Sequence, residues 1–178
     1  LIQKYNLHDS AKSSFHYMLA DATGKSAILE WLPENGTDAT DNDGSARKLV
    51  ITYNNDHMYD GLRAQEDFKY QWITNFIVHN AYEYYENDED NMAGLDRYEH
   101  LYNRLNAAHG VLEDDAAAMK LLSEVGRRTW NGGVTVHSVV YNLTDKTVRW
   151  VANENYDDPG ATYLYSFETG KLTTLADQ

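Results

Sequence analysis

Apolar residues alternate with polar or small ones in "SSFHYMLA" (13–20) and more densely in "KSAILEWL" (25–32), and the "DATG" between them ends on Gly24. A glycine there supplies the positive φ of a tight turn, so the pattern predicts a β-hairpin. "KLVITYN" (48–54) and the apolar run "YQWITNFIV" (70–78) read as two further strands. Period then changes. Leu95, Tyr98, Leu101, Leu105 and Ala108 form one helical stripe, and Leu112, Ala116, Met119, Leu122 and Val125 form another, with Gly110 and Gly126 where C-terminal stops are expected. Strand patterning returns in 134–143, 147–152 and 162–167.

The connections are polar. Residues 33–48 and 83–94 read as solvated acidic loops, and 55–69 as an irregular segment. At the start, Leu1, Ile2, Tyr5 and Leu7 have roughly helical spacing without a capping residue ahead of them, as in a chain that begins inside a helix. With no internal repeat and no linker, the expected fold is one α+β unit, its sheets mostly antiparallel.

Composition narrows the partners. The 178 residues carry 15 basic and 28 acidic side chains, a formal charge of -13, whose field repels phosphate backbones and anionic membrane surfaces. No apolar run approaches the roughly 18 residues of a membrane span and no targeting segment is present in these residues, so a cytoplasmic location is expected. There is no cysteine, which excludes a thiol nucleophile, a disulfide and Cys-ligated zinc within the stretch.

Several chemistries fail on spacing. If Gly44 of "DATDNDG" is taken as the glycine of a calcium loop, Ala39 and Val50 occupy the first and closing ligand positions, and neither ligates through a side chain. The seven histidines contain no H-E-x-x-H pair, and the serine-elbow, P-loop and dinucleotide fingerprints are missing. Neither a metal nor a cofactor is expected.

Two residues stand out locally. Asn75 shares strand parity with Gln71 and Ile73, with no glycine or proline after it to make a turn, so its amide is expected to be buried and in need of partners. In "AGLDRYEHL", Asp96 and Glu99 have capping-box spacing, which makes Arg97 the first helical residue, a cation opposing the helix dipole. A strand-end asparagine bonding local backbone and a surface ion pair would account for both equally simply.

Taken in order, "SSFHYMLADATGKSAILEW", "WITNF", "GLDRYEHL" and "VHSVVYNLTDKTVRW" resemble the second half of the linear amide C-N hydrolases, the choloylglycine hydrolase and penicillin V acylase superfamily. The similarity is closest to the shorter acyltransferase-like or carcinine-hydrolase-like members and runs from about residue 1 to 167.

The resemblance implies that residues 1–178 are the carboxy-terminal half of one N-terminal-nucleophile hydrolase domain, part of an αββα sandwich of mostly antiparallel sheets flanked by helices. In such enzymes an amino-terminal cysteine attacks the amide and its own α-amine is the base. Carried across, Asn75 donates to the oxyanion, and Arg97 lies beside the nucleophile and favours its thiolate. The implied partners are a small-molecule amide and the cysteine-bearing amino-terminal half; homo-oligomerisation stays open. His137 stands where relatives often carry an aromatic residue, and the short stretch between Asn75 and Arg97 points away from a bile-salt substrate. The competing expectation is a non-catalytic β-rich binding module of the same fold.

Overall fold

A computed structural model of the protein describes residues 2–4, 16–33, 47–54, 70–79, 92–127 and 134–178. Most of the expected first helix, the acidic loop with Asp38, Asp41 and Asp43, the segment 55–69 and most of the connection 83–94 lie outside the described residues. The chain divides into two compact units, Leu1–Tyr98 and Glu99–Gln178.

In the first unit, β1 (His16–Ala20), β2 (Ser26–Pro33) and β3 (Arg47–Tyr53) form an antiparallel meander in that order. Ala20 pairs with Ser26, which closes the expected hairpin. Gly24 takes φ 84°, and Asp21 Oδ1 accepts from the Thr23 backbone N–H and hydroxyl, replacing ladder bonds that the turn cannot make. As the central strand, β2 is covered on both faces. Ile28, Leu29, Glu30 and Trp31 are all buried, whereas Tyr17, Met18 and Leu19 on the edge strand β1 are exposed.

The strand expected at 70–78 is not one. Residues 70–74 belong to no sheet ladder, and the chain bends at Asn75 and Phe76. Trp72, Phe76, Ile77 and Val78 are buried and Asn75 is exposed, so the period-2 assignment that buried the amide fails. A bend rotates the side chains after it, and parity persists only along an unbroken strand. Tyr98, fully buried, packs its ring 5.1 Å from Trp72 and 5.0 Å from Phe76, and so ties this segment to the start of a helix.

That helix, α1 (Leu95–Ala107), begins two residues before the expected first position, Arg97. Gly94, at φ 88°, turns the chain, and its carbonyl accepts from Tyr98 N–H; Asp96 therefore lies inside the first turn and does not cap it. At the other end Gly110, at φ 71°, donates to Leu105 O, the expected glycine stop.

The second unit contains α2 (Asp115–Glu124), started by Asp114, whose carboxylate accepts from Ala117 N–H at 2.7 Å. Met119 and Leu121 are its buried residues; Leu122, the expected stripe member, is only half-buried. Gly126 follows the helix for a different reason from the one expected. Its φ is not positive, and a Cβ there would lie 2.8 Å from Glu154 Oε1 and 3.2 Å from the Tyr156 hydroxyl, so these side-chain ends approach the backbone closely.

A four-stranded antiparallel meander completes this unit: β4 (His137–Asn142), β5 (Thr147–Ala152), β6 (Thr162–Ser166) and β7 (Leu172–Thr174). The sequence pattern does not mark β7, which is three residues long and exists by pairing with β6 across a turn at Gly170. Arg149 on β5 donates through Nε to Asp115 Oδ2 at 2.9 Å and fastens the start of α2 to the sheet. The described residues are thus α+β, with two antiparallel sheets of three and four strands and two helices. No described helix is long and apolar enough to cross a membrane.

Candidate functional site

Both residues singled out in the sequence lie in the first unit, and they touch. Arg97, in the first turn of α1, donates through Nη2 to Asn75 Oδ1 at the bend. A guanidinium has no acceptor, so the contact orients the neighbouring amide: its oxygen must face Arg97 and its NH₂ must point elsewhere. Among the described residues nothing accepts from Asn75 Nδ2. The arrangement is a neutral amide donor, held by a cation and presented at an exposed bend.

The groups around the pair set its geometry. The Thr74 hydroxyl donates to Gly94 O at 2.9 Å, joining the residue before Asn75 to the turn before α1. Gly94 is constrained twice, since its φ of 88° disfavours any side chain and an added Cβ would fall 2.6 Å from Arg97 Nη2 and 3.3 Å from Thr74 Cβ. Only glycine lets the guanidinium pass so close to the backbone.

The segment around the bend is also tied to β2 and β3. Gln71, buried, accepts from the Ser26 hydroxyl at 2.6 Å and donates to Thr52 O at 3.0 Å. Glu30, also buried, accepts from the N–H groups of Val78 and His79. Sequence reasoning passed over Thr74, Gly94, Gln71 and Glu30. The signal for Glu30 was present as an acid between Leu29 and Trp31 in an otherwise apolar strand core, a position where a carboxylate needs a partner.

The linings of two cavities built from described residues include neither Asn75 nor Arg97. One, about 670 Å³, lies in the first unit over Leu19, Ala27 and Tyr53. The other, about 450 Å³, lies in the second unit beside Arg149, Ser166 and Lys171. His137 is exposed and sets its ring edge-on to Trp150, 6.3 Å between centroids. Among the described residues no group of three or more His, Asp or Glu side chains is placed to hold a metal ion. Comparison with family models, with curated proteins and with solved structures gives no match for this chain.

Proposed function

We propose that this chain supplies the oxyanion-stabilising part of a cysteine-dependent hydrolase of linear, non-peptide amides, an N-terminal-nucleophile enzyme of the αββα class. The nucleophilic thiol belongs to residues outside these 178, which contain no cysteine. The reading is supported by one observation above all, the Arg97 guanidinium seated on Asn75 Oδ1. It leaves the Asn75 NH₂ outward as a donor, and the adjacent positive charge strengthens that donor.

In the proposed reaction the thiolate adds to the amide carbonyl carbon, and the carbonyl oxygen becomes negative. Asn75 Nδ2 donates to that oxygen as charge develops, the condition under which a donor lowers the barrier more than it improves ground-state binding. The C–N bond then breaks, the amine leaves with a proton delivered from the base, and water releases the acyl group from sulfur. Arg97 has two effects in this scheme: it orients the amide, and its charge favours the thiolate.

The test is to supply the cysteine-bearing segment, in one chain or by co-expression, and measure turnover of N-acyl 4-nitroanilides with and without Asn75→Ala. The 178 residues by themselves should be inert, since both nucleophile and base are missing from them. If the completed enzyme hydrolyses amides and Asn75→Ala does not slow it, Asn75 is not the oxyanion donor. If the completed protein is inert, the non-catalytic module is the better reading.

A further inference from the structure

We infer that Glu30 is a positioning residue, holding the bend that presents Asn75 by accepting two consecutive backbone N–H groups from the residues just after it. Its consequence for catalysis rests on the proposed function, whereas its consequence for the bend does not. Glu30 lies in the middle of β2 and is only 2% exposed. A carboxylate so placed costs free energy unless its oxygens are satisfied, and a β-branched or apolar residue would serve the sheet better.

Both oxygens are directed at the segment that lacks a sheet ladder. Oε1 accepts from Val78 N–H at 2.8 Å and Oε2 from His79 N–H at 3.0 Å. His16, which pairs with Glu30 in the β1–β2 register, sets Nδ1 3.5 Å from Oε1. The two adjacent N–H donors are met here by two acceptor oxygens on one side chain, one each. A carboxylate provides them, and an amide of the same shape provides one.

Gln71 does the corresponding work at the other end, where it reaches Ser26 on β2 and the Thr52 carbonyl on β3. Residues 71–79 are therefore held to the sheet by side chains at each end, with Asn75 midway. In a strand, neighbouring backbone would fix this segment. Here Glu30 and Gln71 supply hydrogen bonds at the two ends, and the chain bends between them with Asn75 exposed.

The experiment uses Glu30→Gln, which keeps the shape and loses one acceptor, and Glu30→Asp, which keeps the charge and shortens the reach. In the 178-residue chain, amide hydrogen exchange should quicken about tenfold or more at Val78 and His79 in both variants, while Ile51 and Thr52 on β3 stay protected. The Asn75 side-chain NH₂ resonances should move toward those of a freely rotating amide. In the completed enzyme, Glu30→Gln should lower kcat for N-acyl 4-nitroanilides with KM little changed, and the double variant with Asn75→Ala should be no slower than Asn75→Ala alone.

Unchanged exchange at Val78 and His79 would overturn the inference, and so would independent, multiplying losses in the double variant. Loss of the β1–β3 sheet in both single variants would do the same, by making Glu30 a determinant of folding. An inert completed wild type would instead remove the hydrolase reading, and the exchange measurement would still decide whether Glu30 holds the bend.

Discussion

Arg97 and Asn75, 22 residues apart in sequence, are joined through Nη2 and Oδ1, and the pair links the first turn of a helix to a bend that belongs to no sheet. This contact gives the helix-start arginine an anchor that offsets its unfavourable position against the dipole. The two residues therefore form one unit, and their substitutions should be read together.

In the completed enzyme, Asn75→Ala should lower kcat by about 10² to 10³ with little change in KM, the signature of one oxyanion donor, and should leave thiol alkylation as it was. Arg97→Ala should also lower kcat, because the amide is no longer oriented. It should in addition slow alkylation at neutral pH and shift the acidic limb of the pH–rate profile upward, as the thiol pKa rises without the charge. Steady-state kinetics and iodoacetamide alkylation across pH separate the two variants. Wild-type alkylation in Arg97→Ala would limit that residue to orienting Asn75.

Gly94 and Gly24 offer a controlled comparison. Both have positive φ, 88° and 84°, so alanine should cost each about 1–2 kcal/mol in backbone strain. Nothing lies within 4 Å of a Cβ at Gly24, while at Gly94 it meets Arg97 and Thr74. Urea unfolding should show Gly94→Ala as the more damaging change, and only that variant should alter the Asn75 NH₂ resonances. Equal effects on both readouts would mean that the close approach at Gly94 is relieved without displacing Arg97.

The Arg149–Asp115 pair should matter more than an exposed ion pair, because the Arg149 side chain is only 15% exposed and its Nε bond holds the start of α2. Arg149→Met, which keeps the apolar stem, should destabilise the protein by about 1.5–3 kcal/mol, the range for hydrogen bonds to charged groups. A urea midpoint close to wild type would place the pair with those that contribute nothing measurable.

Acid sensitivity has a definite sign at Glu124. A hydrogen bond from His100, 2.8 Å away, is the largest cause of its lowered pKa, and Arg104 at 3.0 Å adds to it. A depressed carboxylate stabilises the fold above its ordinary value of 4.5, and that contribution is lost as pH falls through the lower folded value. Solvent screens the group, so no more than about 1 kcal/mol is at stake. Glu124→Gln should reduce the stability difference between pH 7 and pH 3.5 in chemical denaturation; an unchanged difference would show the cluster to be energetically silent.

Local chemistry along the chain was enough to predict the β1–β2 hairpin, the strands near 47–53, 137–142, 147–152 and 162–166, and both helices, because period, turn glycines and caps act over a few residues. It also singled out Asn75 and Arg97, each by a local conflict with its expected setting. It could not show that 70–79 is a bend. The parity of Asn75 has meaning only if neighbouring strands pair with that segment, and pairing is a long-range property. Whether Glu30 spends its carboxylate on Val78 and His79, and whether Gly94 leaves room for Arg97 to reach Asn75, were likewise decided by contacts between residues 20 to 49 positions apart. Such contacts form only when the chain has folded, because closing those loops costs entropy that local preference cannot offset and that burial of Tyr98, Trp72 and Phe76 can.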